Sequence, residues 1–164
     1  EDWSLAKIGG RTDNHMITPI LPEPALEMLN KFKGFTYKGW EFSDVKVEEY
    51  LLEDAEYVVV AYGIAARVAK EAINNLREEG YKVGMIRPIT LYPFPKESFN
   101  KLNYEQVKGF IDVELAIPAQ MHDDIALEVK DRAPIYEYCR SGGLLFDDDG
   151  VYAAVKKIID GGAK

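Results

Sequence analysis

Few residues in this chain can do chemistry, and the placement of each limits what it can do. Glu114 is the carboxylate of most interest, because it closes the apolar run "VKGFIDVEL" (107–115), which reads as a strand. In open α/β sheets ligands bind at the carboxyl ends of strands. An acid there has two roles open to it. Burial could raise its pKa and make it a base, or it could accept hydrogen bonds from the amides of the next helix. The second is the expectation. "MHDD" (121–124) resembles a ligand cluster, yet His122, Asp123 and Asp124 at consecutive helical positions point in different directions. A solvated helix start is expected instead. His15 lies far away in sequence and in a different context.

Nucleophile and phosphate motifs fail on inspection. "CRSGG" half resembles a nucleophile elbow, but Cys139 stands where the first glycine belongs, and Ser141 has no evident His partner. "RSGG" therefore reads as a turn, with Arg140 placed to touch a neighbouring subunit. In "AYGIAAR" Gly63 is followed by Ile64, Ala65 and Ala66, so a dinucleotide fingerprint lacks its second and third glycines. The free amides after Gly63 could still meet an anion, although a structural turn glycine is the expected reading. No Walker sequence, H-E-x-x-H or C-x-x-C occurs. No triad, acid–base pair or metal site assembles, so no catalytic residue and no metal ligand is assigned.

Composition sets the frame for these residues. A chain of 164 residues is about one domain, and 47% hydrophobic content is ample for a packed core. No apolar run reaches the ~18 residues of a membrane span, so a soluble protein is expected. A net charge of −8 argues against nucleic acid, whose phosphates select clustered Lys and Arg. One cysteine excludes an internal disulfide or a Cys-rich cluster, and a cytoplasmic setting fits it. The opening "EDWSLAKIGG", without an initiator Met, is what a piece of a longer polypeptide would show.

The elements that must position these groups follow from periodicity. Residues 1–47 read as an extended segment, "GGRTDNHMITPILPEP" followed by a short helix in "EPALEMLNKFK", linking to an absent catalytic domain. Residues 48–164 read as the folded domain. "YVVVAY" (57–62) is a strand buried on both faces. The helix after Gly63 places Ile64, Val68, Ile73 and Leu76 on one face, with Gly80 as its stop. "KVGMIR" (82–87), "VKGFIDVEL" and "PIYEY" (134–138) are further strands. "KESFNKLN", "AQMHDDIALEVK" and "DGVYAAVKKIID" are helices, the last capped by Asp149. The acids of "VEEYLLEDAE" read as a solvent-facing surface. Such alternation predicts an α/β three-layer sandwich with a mostly parallel sheet.

One long motif adds a resemblance. "EEYLLEDAEYVVVAYGIAARVAKEAINNLREEGYKVGMIRPITLYPFP" closely resembles the C-terminal domain of the alpha subunit of 2-oxoacid:ferredoxin oxidoreductases. "GRTDNH" (10–15) is similar to a segment typical of the 2-ketoisovalerate members, and "VE…QM..D" (113–124) and "R.GG" (140–143) extend the match. Ala119 departs from it, standing where the family commonly has Gly. The resemblance implies a transketolase C-terminal-like fold. It also implies an enzyme that decarboxylates a branched-chain 2-oxoacid on thiamine diphosphate with Mg, passing electrons through iron–sulfur clusters to ferredoxin and the acyl group to coenzyme A. Those cofactors are implied on other domains or subunits, with none bound by this fragment. The implied partners are the N-terminal domain of the same subunit, a thiamine-binding beta subunit and a ferredoxin-like subunit. The chain's own implied role is assembly, inactive alone. A 2-oxoglutarate or pyruvate enzyme, or a stand-alone α/β ligand-binding module, remain alternatives.

The stretch "MIRPITLYPFP" (85–95) tests that role. A strand ending near Arg87, where Pro88 lacks an N–H, would hand the chain to a rigid apolar exit. Leu91, Tyr92, Pro93 and Phe94, with Arg140, are the expected interface residues, since they are too apolar for an ordinary loop. The competing reading is that the helix amides after Gly63, with Arg67 and Arg87, could meet the coenzyme A pyrophosphate.

Overall fold

The computed structural model describes residues 24–161. The expected extended segment, with "GRTDNH" and His15, lies outside the described residues. The chain divides into two units between Lys38 and Gly39, and the sheet lies in the second. The first described element is α1 (Pro24–Ser43), a helix of 20 residues rather than the short one expected. Met28, Phe32 and Phe35 recur at helical spacing along it, and all three are exposed.

The second unit begins its sheet with β1 (Val47–Tyr50), a strand that the acidic run "VEEY" had concealed. Then follow β2 (Tyr57–Ala61), α2 (Gly63–Glu78), β3 (Val83–Pro88), α3 (Lys96–Asn100) and β4 (Gly109–Glu114). The chain ends with α4 (His122–Val129), β5 (Ile135–Cys139) and α5 (Asp148–Ile159). The sheet order is β1-β3-β2-β4-β5, parallel except for β1. This is the mostly parallel α/β sheet that the alternation of strand and helix patterns predicts.

Period-two alternation in the buried strands sorts the core into two layers. Val59, Ala61, Met85, Ile111 and Val113 pack with Ala69, Ile73 and Leu76 of α2 and with Val151 and Val155 of α5. Val58, Val60, Ile86 and Phe110 face the other way, against Phe99 of α3 and Ile125 and Val129 of α4. Each fully buried Ile or Leu here contributes about 1.5–3 kcal/mol. Phe94, Phe99 and Phe110 form a run of stacked rings, with centroids 5.5 and 5.8 Å apart.

Three local expectations are corrected. Ile64, expected on the buried face of α2, is 50% exposed, because the helix turns Ala65, Ala66 and Ala69 to the sheet instead. The cap of α5 is Asp147, whose carboxylate accepts from the Gly150 amide at 2.8 Å, whereas Asp149 lies inside the first turn. Pro88 continues β3 rather than ending it, opposite Val47. Pairing with β2 stops at Ile86, so this proline has only one neighbouring strand and its missing N–H is tolerated.

Candidate functional site

All four parallel strands point their carboxyl ends to one edge, and the sequence builds that edge from four short exits. After β2, Gly63 takes φ 58, a left-handed conformation that suits glycine, and opens α2 with no acid in its first turn and no side-chain cap. After β3, the Ile89 and Thr90 amides donate to the Lys46 carbonyl at 2.9 and 3.1 Å, which ties the exit to the approach of β1. After β4 the chain passes through a cis Ile117–Pro118 bond, and after β5 the Arg140 guanidinium donates to the Leu145 carbonyl at 2.9 Å. The Arg140 amide donates to the Glu114 carbonyl at 3.1 Å, so the last two exits are joined.

These exits are unusually apolar. Ile64 follows β2; Ile89, Leu91 and Tyr92 follow β3; Ile117 follows β4; Leu144 and Leu145 follow β5. Every one of them is at least half exposed. Pro93 and Phe94 are placed differently, because both are buried and Phe94 belongs to the aromatic stack. Of the expected interface residues, then, Leu91 and Tyr92 are exposed and Pro93 and Phe94 are buried. A groove of about 550 Å³ runs past them, bordered by Leu127, Glu97 and Glu128. An inner recess of about 190 Å³ shares Leu91, Phe94 and Asp124 with it and ends on Tyr62, Glu114 and Met121.

Glu114 is fully buried at this edge. Its carboxylate accepts from the Gln120 amide and, at 3.3–3.4 Å, from the Met121 amide, where α4 is about to begin. That is the hydrogen-bonding role expected from the sequence. Asp112 was not singled out, although the acid inside "GFIDVEL" was visible two residues before Glu114 and on the same face of the strand. It is fully buried and neither oxygen has a hydrogen-bond partner. Burial, followed by the charges of Glu114 and Glu137, pushes its carboxyl up to about 7. Burial likewise pushes the Cys139 thiol up to about 11, with Asp112 adding to it. A thiol so held is a poor nucleophile at neutral pH.

His122 opens α4 with Nδ1 2.7 Å from Glu137 Oε1, a close contact that does not meet hydrogen-bond geometry. Asp123 and Asp124 are exposed, as expected of a solvated helix start. Among the described residues no three His, Cys, Asp or Glu groups converge to hold a metal.

The residues expected to meet coenzyme A lie on two elements, α2 and β3. Gly63 and Arg67 lie on the first turns of α2, with Arg67 exposed. Arg87 is held by Glu48 of β1 at 2.9 Å, and the same carboxylate binds Lys70 of α2 at 2.5 Å. The guanidinium thus serves the junction of β1, β3 and α2.

Residues 55–149, which carry the four parallel strands and α2, α3 and α4, match the family described as pyruvate:ferredoxin oxidoreductase core domain II. The chain belongs to that family. The chain is 44% identical over 128 residues to the ketoisovalerate oxidoreductase subunit VorB of Methanothermobacter marburgensis, an alignment that covers 77% of this chain and 36% of that protein. It therefore spans about a third of the curated relative's length. Among solved structures, the chain resembles 2-oxoglutarate:ferredoxin oxidoreductase from Magnetococcus marinus, solved with 2-oxoglutarate, coenzyme A and succinyl-CoA bound. The TM-score is 0.69 at 26% identity, over 85% of this chain and 24% of that one. A split-gene transketolase shares the fold at 19% identity and TM-score 0.57, covering 70% of this chain and 41% of its own. The transketolase-like fold implied by the sequence resemblance is thus observed. No helix among the described residues is long and apolar enough to cross a membrane.

Proposed function

We propose that this chain is the C-terminal assembly domain of a thiamine-diphosphate-dependent 2-oxoacid:ferredoxin oxidoreductase acting on a branched-chain 2-oxoacid. The observation that carries the reading is the 44% identity with a ketoisovalerate oxidoreductase subunit. The apolar carboxyl edge supports the assembly role, because four loops expose large hydrophobic side chains side by side where a solvated domain would place polar ones. The donor set supports placing the metal groups elsewhere: among the described residues no three His, Cys, Asp or Glu groups converge, and a single cysteine cannot ligate an iron–sulfur cluster. Thiamine diphosphate, Mg and the clusters belong, on this reading, to the preceding domain and to partner subunits, with ferredoxin and coenzyme A meeting the whole enzyme in the cytoplasm.

The test is an assay of the full-length subunit with its partner subunits, using ferredoxin as acceptor and 2-ketoisovalerate, 2-oxoglutarate and pyruvate in turn. The highest kcat/KM is expected for 2-ketoisovalerate. A preference for either other acid overturns the substrate, and failure to co-purify with a thiamine-binding subunit overturns the assembly role.

A further inference from the structure

Asp112 lies between the two side chains that hold the start of α4. Glu114, two residues along the same face of β4, accepts from the Gln120 and Met121 amides. Glu137, opposite Asp112 on β5, meets Nδ1 of His122 at 2.7 Å. Met121 and Ile125 are buried in the layer that covers this face of the sheet. Beneath that cover Asp112 is fully buried, and neither of its oxygens has a hydrogen-bond partner. Buried polar groups are nearly always paired, so an orphaned carboxyl calls for a reason. The charges that act on it come from Glu114 and Glu137, both acids. His122 is turned to Glu137, Tyr62 follows β2, Cys139 ends β5, and Asp124 stands with Glu114 at the recess. A carboxyl so placed keeps its proton for as long as it is covered.

We propose that the start of α4 is a proton-controlled flap on the carboxyl edge. When residues 120–126 lift from the sheet, water reaches Asp112 and its carboxyl gives its proton to solvent. When they close, the proton is taken up again. The folded, closed state binds that proton more tightly than the open one, so closure is favoured in full at low pH. Opening grows as pH rises from about 4, where a hydrated aspartate ionises. It levels off above about 7, where Asp112 ionises beneath the closed flap as well. The flap carries Met121 and Asp124, which line the inner recess, and Asp124 also borders the outer groove. The proton on Asp112 therefore sets the shape of both hollows. The inference needs no partner or cofactor and stands apart from the assembly reading.

The experiment is hydrogen exchange read by mass spectrometry on the full-length subunit, with each rate divided by the intrinsic rate at that pH. Two results are expected of the wild type. Amides of residues 120–126 should exchange at least about tenfold faster than those of the buried turns of α2 at every pH, because a flap opens without unfolding the domain. Their protection should fall by at least about tenfold between roughly pH 5 and pH 7.5 and change little above that. In Asp112→Asn, and in Asp112→Thr as a strand-compatible second variant, the α4 profile should be flat across the same interval. Equal protection of the two helices overturns the flap whether or not a variant folds. A flat α4 profile in the wild type, or a slope that survives in either variant, overturns the role of Asp112.

Discussion

Asp112 and Glu137 stand directly opposite one another on β4 and β5, and neither Asp112 oxygen has a hydrogen-bond partner to offset that juxtaposition. A buried carboxyl beside two other acids keeps its proton to near neutral pH, here to about 7 against the usual 3.8.

This relationship sets a pH dependence of stability. Because the folded state holds the proton more tightly than the unfolded chain, the stabilising contribution is complete below pH ~4 and is lost as pH rises toward ~7. Asp112→Asn, which cannot ionise, is expected to remove that slope. Urea unfolding at pH 4 and pH 8 should show the variant gaining on wild type across the interval, by roughly 1–4 kcal/mol at the upper end. Parallel profiles for the two proteins would refute the assignment.

The cap of α5 offers a paired test. Asp147→Ala leaves the Gly150 amide without its acceptor and should cost about 1 kcal/mol. Asp149→Ala, one turn position inside the helix, should cost only a few tenths of a kcal/mol through the helix dipole. Thermal melts of both variants decide between the two aspartates, and equal losses would place the cap wrongly.

Gly84 in β3 is required by a close approach and not by its φ. A Cβ there would lie 2.6 Å from the Leu51 carbonyl oxygen, which belongs to the backbone and cannot swing aside. Gly84→Ala is expected to cost about 1–3 kcal/mol and to loosen the segment after β1 first. Hydrogen exchange of the β1 amides, compared with those of β4, measures it. Unchanged β1 protection would show that the segment relaxes freely.

How much of this was legible in the sequence depended on whether a residue's role is local. The strands and helices from Tyr57 to Ile159 follow from apolar periodicity, and the amide-accepting role of Glu114 follows from its place between a strand and a helix. β1 was hidden because only Val47 and Tyr50 of "VEEY" are apolar, and its pairing with β3 is a long-range fact. The role of Arg87 was hidden for the same reason, since Glu48 and Lys70 reach it only after the sheet closes. Phe94 looked like surface because its partner ring, Phe99, comes from the next helix. Asp112 was overlooked because an acid in an apolar run has no local signature that tells a paired carboxylate from an orphan.

β1 is an edge strand and the shortest in the sheet. It precedes every other described strand yet pairs only with β3, so during folding it must wait for β3, beyond β2 and α2 in the chain, before it has a partner. With one neighbour and four residues, it depends on Glu48, whose carboxylate ties it to β3 and α2 at once. Peeling of β1 would leave the four parallel strands paired, which makes it a separate cooperative unit with a lower opening free energy than the rest of the sheet.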